Sequence, residues 1–196
     1  MGDTTRALSR DGQPDLSSVS RSRSIMPHSI RLRGPWQCEP LAFAEIAVDG
    51  SMIWTDTDLP TPAAIELPGD WSAALGRDFR GIARLTRRFG LPTGLSSSSR
   101  VWLTLEEVAG TAAVALNTHA LGSTASEDDS LRFRESLANL PQRLASTLKG
   151  SPQFCPARWD VTSLLQPRNE LTIDLLTLGM GRIGLVTLEI DEQLLE

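Results

Sequence analysis

The sequence has few of the residues that mark specialised classes of protein. Its 196 residues include no tyrosine and two cysteines, and Cys38 and Cys155 stand in neither a CxxC nor a Cys/His metal motif. Two cysteines exclude a dense disulfide framework, so we expect two buried free thiols, with one Cys38–Cys155 bridge as the alternative. The sequence specifies no zinc site, Asp56 and Asp58 alone do not specify a calcium site, and we predict no metal and no cofactor.

Long apolar runs and an excess of positive charge are also missing. No run approaches the roughly 20 apolar residues of a membrane-spanning helix, and the N-terminus lacks the ~7–15-residue apolar stretch of a secretory signal. We therefore expect a cytoplasmic protein that does not bind membranes. The formal net charge of −5 argues against general binding to nucleic acid, which requires a basic surface.

The chain divides into a polar tail and one domain. Residues 1–28 are rich in serine and arginine and nearly free of large apolar side chains, so we expect a disordered basic tail. Residues 29–196 are enough for one domain with its own core.

Alternating patterns predict that this domain is built from short strands. Val101, Leu103 and Leu105 share one face of a predicted strand over 100–108, and Trp102 and Thr104 share the other. Comparable patterns occur at 30–33, 111–117, 170–178 and 185–190. Residues 41–48 form an apolar stretch, and Asp49-Gly50 after it is a hairpin signal. Regularly spaced short strands predict an antiparallel β-sandwich or barrel.

One segment, 123–156, breaks this rhythm. Apolar residues recur there at helical spacing, and Pro141 divides them into two short predicted helices. The stripe consists of Phe133, Leu137, Leu140, Leu144 and Leu148. If it faces solvent it would serve a protein partner or a second copy of the chain; if it packs on the sheet it is ordinary core.

Four segments in order resemble the sugar-binding domain of family 2 glycoside hydrolases, together spanning about 30–190. They are LPGDW with GRDFRG (67–71, 76–81), RLTRRF (84–89), RVWL…EEVAG…AVALN (100–117) and WDVTSLLQPRNELTI (159–173). The resemblance implies a galactose-binding-like jelly-roll β-sandwich and a non-catalytic carbohydrate-binding module. In the fourth segment, Asp160 or Thr162 is expected to cap a single helical turn.

The resemblance also implies one sugar contact. The family's strand-ending asparagine reaches the sugar in the active site of the catalytic barrel, and Asn117 occupies that position, although Thr118 replaces the glycine that usually follows. Trp71 and Trp36, at loops or strand ends, are further candidates as stacking platforms for a sugar, and Asp70 as a polar contact. The alternatives are that Trp71 plugs the end of the sandwich and that Asp70 caps a helix or turn.

The sequence predicts no catalytic residues. A retaining glycosidase needs two carboxyl groups about 5–5.5 Å apart, whereas adjacent Glu106 and Glu107 would point to opposite faces of the predicted strand. His28 and His119 lack any nucleophile motif. We therefore expect a protein that is not an enzyme, and the alternative function is a protein-interaction or assembly module that uses the helical insertion.

Overall fold

The computed structural model describes residues 28–48, 52–124, 152–153, 157–177 and 181–192. Strands joined by turns dominate these ranges, with a single-turn helix α1 (Ser72–Leu75) and a short 3-10 helix (Thr162–Leu164). The strands are β1 (His28–Arg31), β2 (Trp36–Ile46), β3 (Met52–Thr55), β4 (Ala63–Ile65), β5 (Gly69–Asp70), β6 (Gly81–Gly90), β7 (Ser99–Leu105), β8 (Thr111–Leu116), β9 (His119–Thr124), β10 (Pro152–Gln153), β11 (Ala157–Asp160), β12 (Arg168–Thr177), β13 (Arg182–Ile183) and β14 (Val186–Glu192).

These strands form two main sheets. The large sheet has the order β10-β9-β8-β12-β6-β2-β3, with β4 also paired to β2, and the small sheet has the order β1-β14-β7-β11. The pairs within both sheets are antiparallel except β9–β10, and β5 and β13 form a separate two-residue pair. This arrangement confirms the predicted all-β, jelly-roll-like sandwich.

The core fills the space between the two sheets, as the alternating patterns predicted. Val101, Leu103 and Leu105 of β7 are buried, and so is Ile173 of β12, which pairs with Val114 of β8. Side chains on one face of each strand therefore interdigitate at the core while the next residues along the strand point away from it.

The outer face of the large sheet carries a second buried cluster. Its members are Ala42, Ile82, Ala113 and Leu176, with Leu41 and Trp54 packed against them. The register between β2 and β6 shifts beside this cluster, between Pro40 and Ala42. Gly81 allows the close approach there, because a Cβ at that position would collide with the carbonyl oxygen of Ala42.

Two local predictions can be compared directly with the structure. The predicted hairpin is confirmed in its strand pairing, since Ile46 pairs with Met52 across β2 and β3, while residues 49–51 lie outside the described ranges.

The strand predicted over 100–108 is too long. It ends at Leu105, and Glu106 and Glu107 are exposed residues of the following loop, where Glu107 has a φ of 44°. The prediction that Glu106 and Glu107 point to opposite faces of a strand is therefore wrong.

The predicted single helical turn after β11 is confirmed as the 3-10 helix (Thr162–Leu164); its N-cap residue is Val161, which makes no side-chain cap hydrogen bond, and Asp160 bonds the first residue of the turn. Asp160 Oδ1 accepts hydrogen bonds from the backbone N–H of Thr162 at 3.0 Å and from its hydroxyl at 2.7 Å. The backbone N–H of Val101 in turn donates to Thr162 Oγ1 at 2.8 Å, which ties the 3-10 helix to β7.

Several predictions fall on residues that the structure does not describe. The tail over 1–27 is outside the described ranges, and so is the predicted helical insertion except for residues 123–124 and 152–153, which are strand. Cys38 is a buried free thiol as predicted, and Cys155 lies outside the described residues. Neither helix within the described residues is long and apolar enough to cross a bilayer.

Candidate functional site

The two indole rings proposed as stacking platforms are both buried. Trp36 is 0% exposed, and its Nε1–H donates to the carbonyl oxygen of Leu32 at 2.7 Å. Trp71 is 2% exposed, and its ring lies so close to Gly181 that a Cβ there would overlap it. Neither ring is open to a sugar in this conformation, and the geometry of Trp71 matches the alternative of a residue that packs inside the sandwich.

Asp70 is exposed and organises the turn that begins α1. Its Oδ1 accepts a hydrogen bond from the backbone N–H of Ser72 at 2.6 Å. Hydrogen bonds from Ser72 lower the pKa of the Asp70 carboxyl, and the charge of Arg77 acts in the same direction. This is the turn role given as the alternative; sugar contact by Asp70 stays a prediction.

Asn117 forms the corner between β8 and β9 together with Thr118, and both residues have positive φ, 50° and 71°. Its Nδ2 donates to the carbonyl oxygen of Leu164 at 2.7 Å and to Asn169 Oδ1 at 2.9 Å. Its Oδ1 accepts from the backbone N–H of Glu170 at 2.9 Å. Both amide hydrogens are thus engaged within the protein, and one lone pair on Oδ1 is left for a ligand.

Asn117 lies in an open cleft at one end of the large sheet. This Asn117 cleft has a volume of about 860 Å³, within the size range of sites for small ligands. The four predicted site residues are not brought together, since the lining includes Asn117 but not Trp36, Asp70 or Trp71. The cleft is lined by Arg88, Phe89, Gly90, Asn117, Thr118, Gln166, Arg168, Asn169 and Glu170.

The Asn117 cleft combines one aromatic ring with polar side chains. Phe89 is half-buried and packs against the core. Arg88 Nε donates to Glu170 Oε2 at 2.8 Å in an exposed ion pair. The guanidinium of the exposed Arg168 forms no ion pair within the described residues, so its hydrogen-bond donors are available to a ligand.

A second cleft lies at the opposite end of β6, roughly 30 Å along the strand. This Phe43 cleft has a volume of about 560 Å³ and is floored by the edge-to-face pair of Phe43 and Phe79, whose ring centroids are 6.0 Å apart. Most other lining residues are polar or charged. They are Glu45, Thr55, Thr57, Asp58, Pro60, Leu75, Gly76, Arg77 and Asp78.

Sequence reasoning missed a cluster on the outer face of the small sheet. The pattern of β7 correctly places Trp102 and Thr104 on the face opposite the core. The half-buried indole lies beneath Arg158, whose Cζ is 4.2 Å from the ring centroid. Arg158 also bonds Glu189 and Asp191, and no local sequence signal links residues so far apart.

No group of three or more His, Cys, Asp or Glu side chains within the described residues is arranged to hold a metal ion.

Comparisons with known proteins bear on the fold. No protein-family model matches the chain, and no curated protein sequence matches it. Among solved structures, it is similar to a Bifidobacterium dentium β-glucuronidase complexed with coumarin-3-O-glucuronide, at 18% identity and a TM-score of 0.55 over 85% of this chain and 30% of that one. A Faecalibacterium prausnitzii β-glucuronidase matches at 18% identity and a TM-score of 0.55, over 85% and 32% of the two chains.

A third similar structure is a GH2 β-galacturonidase from Eisenbergiella tayi bound to glycerol, at 14% identity and a TM-score of 0.51 over 84% of this chain and 24% of that one. The chain spans about a quarter to a third of the length of these three enzymes. At such low identity the similarity establishes the fold alone. The described residues therefore form a β-sandwich that also occurs as part of larger glycosidases, one of them a GH2 enzyme.

Proposed function

We propose that this chain is a non-catalytic carbohydrate-binding module and that the Asn117 cleft is its binding site. The observation that carries the proposal is the composition of this cleft, which brings a half-buried aromatic ring together with amide, hydroxyl and guanidinium groups. Phe89 supplies the ring, and Thr118, Gln166 and Arg168 supply the exposed polar groups around it.

The chemistry of these groups suits a sugar. The C–H-rich face of a pyranose packs on an aromatic ring, while its hydroxyls exchange hydrogen bonds with amides, hydroxyls and guanidinium groups. The similar fold of glycosidases, one of them solved with a glucuronide bound, supports the same class of ligand.

The proposal is tested by titrating ¹⁵N-labelled protein with mono- and disaccharides and following the backbone amide signals. A bound sugar is expected to shift the amides of Gly90, Thr118 and Gln166 in a saturable way. Arg168→Ala should weaken binding about tenfold, the effect of losing roughly 1.4 kcal/mol of hydrogen bonding to a charged donor.

Arg77→Ala is the matched control, because Arg77 is also an exposed arginine but lines the Phe43 cleft at the other end of the sheet. It should bind sugar like the unmodified protein. A flat response of the three cleft amides to every sugar at millimolar concentration would rule out this site. Hydrolysis of aryl β-glycosides by the purified protein would contradict the non-catalytic part of the proposal.

A further inference from the structure

The Trp102 cluster, defined as Trp102, Thr104, Arg158, Glu189 and Asp191, occupies neighbouring positions on the outer face of the small sheet. Trp102 pairs with Glu189 across β7 and β14, and Thr104 pairs with Arg158 across β7 and β11. Arg158 Nε donates to Glu189 Oε2 at 3.0 Å, and its second terminal nitrogen donates to Asp191 Oδ2 at 3.1 Å.

The indole of Trp102 is covered by a group that can move. The guanidinium carbon lies 4.2 Å from the ring centroid, and the Arg158 side chain is 43% exposed, so the stacked guanidinium lies between the ring and solvent. Its two bonds go to carboxylates that are themselves 31% and 39% exposed. Exposed pairs of this kind contribute little stability, so the guanidinium can leave the ring while remaining bonded to a carboxylate.

Two buried polar atoms on this face of β7 have no partner within the described residues. Within the described residues, neither the Nε1–H of Trp102 nor the hydroxyl of Thr104 forms a hydrogen bond, and Thr104 is only 8% exposed. Buried polar groups in native proteins nearly always have partners. Both atoms belong to residues on the same face of β7 as the covered ring. A ligand hydroxyl that extends past the edge of the ring would meet a free donor at Trp102 Nε1 and a free hydroxyl at Thr104.

We propose that the Trp102 cluster is a second carbohydrate site, at which a flat, equatorially substituted pyranose replaces the Arg158 guanidinium on the indole. The proposal rests on the carbohydrate-binding function proposed above. The ring offers the apolar surface on which a sugar face stacks. The carboxylates of Glu189 and Asp191 then lie beside the ring, where they accept hydrogen bonds from equatorial hydroxyls of the sugar.

The test follows the indole N–H signals of the ¹⁵N-labelled chain, in which five tryptophans give five signals. The signal of Trp102 is identified by its loss in Trp102→Phe. Methyl β-D-glucopyranoside and cellobiose, both with all-equatorial rings, are expected to shift that signal in a saturable way. The signals of Trp36 and Trp71 should not move, since both rings are buried in the core.

Arg158→Ala gives a result that a purely structural role would not. Because the guanidinium competes with the sugar for the ring, its removal should tighten binding about two- to fivefold, the equivalent of one exposed cation–π contact. Arg158→Lys keeps the positive charge without the planar group and should also tighten binding, which covers the case in which the alanine variant does not fold. Arg100→Ala is the control. It also removes a paired arginine from this face, since Arg100 pairs with Asp160, and it should bind the two sugars like the unmodified protein.

An unmoved Trp102 signal with both sugars overturns the proposal, and so does weaker or unchanged binding in both Arg158 variants. Its failure is separable from failure of the proposed function. If the amides of Gly90 and Thr118 shift while the Trp102 indole does not, the Asn117 cleft binds sugar and the Trp102 cluster does not. If neither set moves, both proposals fail.

Discussion

Thr118 holds a backbone conformation that β-branched residues avoid. With φ values of 50° and 71°, Asn117 and Thr118 form a two-residue turn between β8 and β9, in which both positions need positive φ. Asparagine tolerates this region and glycine adopts it freely, whereas the left-handed conformation costs a residue with a Cβ roughly 1–2 kcal/mol. The glycine that usually follows the asparagine in the resembled family fits this requirement.

Thr118→Gly is therefore expected to stabilise the protein by about 0.5–1 kcal/mol. The variant removes the strain, and the greater freedom of glycine in the unfolded chain offsets part of that gain. Urea denaturation of the two proteins measures the difference. A loss of stability would mean that contacts of the threonine side chain outweigh its backbone strain.

The neighbouring residue provides the contrasting case. Asn117→Gly keeps a residue suited to positive φ but removes all three side-chain hydrogen bonds, to Leu164, Asn169 and Glu170. We expect a loss of about 2–4 kcal/mol in the free energy of unfolding, on the order of 1 kcal/mol per bond. A change below 0.5 kcal/mol, about half the value of one such bond, would contradict the structural role assigned to this side chain.

At the scale of elements, Asp160 joins β11 to the 3-10 helix. Hydrogen bonds from Thr162 lower the pKa of the Asp160 carboxyl, and its ion pair with Arg100 acts in the same direction. A carboxyl whose pKa is lower in the folded state than in the unfolded state stabilises the fold at pH values above its unfolded-state pKa. That contribution is lost as the pH falls through the folded-state pKa.

Asp160→Asn should consequently reduce the pH dependence of the free energy of unfolding at acidic pH. The amide oxygen still accepts from Thr162 but does not titrate, so the variant is expected to be less stable than the unmodified protein at pH 7 and to approach it below about pH 4. Urea unfolding at a series of pH values tests this. Arg100→Ala keeps the Thr162 hydrogen bonds and should retain most of the pH dependence; equal curves for all three proteins would refute the assignment.

Two central strands of the large sheet are joined by an ion pair. Arg84 of β6 donates from Nε and a terminal nitrogen to Asp174 of β12 at 2.7 and 2.8 Å, and the two residues are directly paired across the strands. The Asp174 side chain is only 7% exposed, while that of Arg84 is 35% exposed, so water can still reach the guanidinium if the carboxylate is removed.

Asp174→Ala is expected to destabilise the fold by about 2–3 kcal/mol, somewhat less than the loss of one partner from a fully buried pair. The double variant Arg84→Met/Asp174→Leu replaces the pair by apolar side chains and should recover part of that loss, since Ile82, Ala113 and Leu176 beside the pair are apolar. The recovery is incomplete because Glu39, which lies opposite Arg84 on β2, loses its neighbouring positive charge. Thermal or urea unfolding of the single and double variants measures how far the second substitution restores the free energy of unfolding lost in Asp174→Ala. A double variant no more stable than Asp174→Ala would contradict this reasoning.

At the scale of the whole molecule, the architecture was predictable and the site chemistry largely was not. The alternation of Val101, Leu103 and Leu105 reports directly which face of β7 is buried, because strand geometry imposes a period of two. Whether a tryptophan packs or binds depends instead on distant contacts. Trp71 is covered by Gly181, and Trp102 is stacked on Arg158, neither of which is close in sequence.

The hydrogen bond of Asp160 is intermediate in predictability between the strand pattern of β7 and the contacts of the tryptophans. Its hydrogen-bond partner is two residues away, so a local pattern was sufficient to predict it. For Asn117, the resemblance predicted a position at the end of a strand and a sugar contact, and the sugar contact stays a prediction. Its three partners, 47 to 53 residues further along the chain, were beyond local reasoning.

Cys38 offers a probe of the cooperativity of the whole sandwich. Burial raises the pKa of its thiol to about 11, and β2 holds it between β4 and β6. Since the thiolate is the reactive form, a thiol reagent should modify Cys38 only when the sandwich opens. In a Cys155→Ser background, the free energy of opening from modification rates should equal that from urea unfolding. A much lower value would reveal local opening at this edge.

The pairing of β1 with β14 has a mechanical consequence. The two strands are antiparallel and His28 lies opposite Ile190. The start of β1 and the end of β14 therefore lie at the same end of the small sheet. A force that pulls these ends apart therefore loads the hydrogen-bonded pairs one after another, from His28–Ile190 towards Arg31–Thr187, and not all at once in shear. When the chain is stretched by its two ends in an optical trap, we expect β1 and β14 to separate first and at low force.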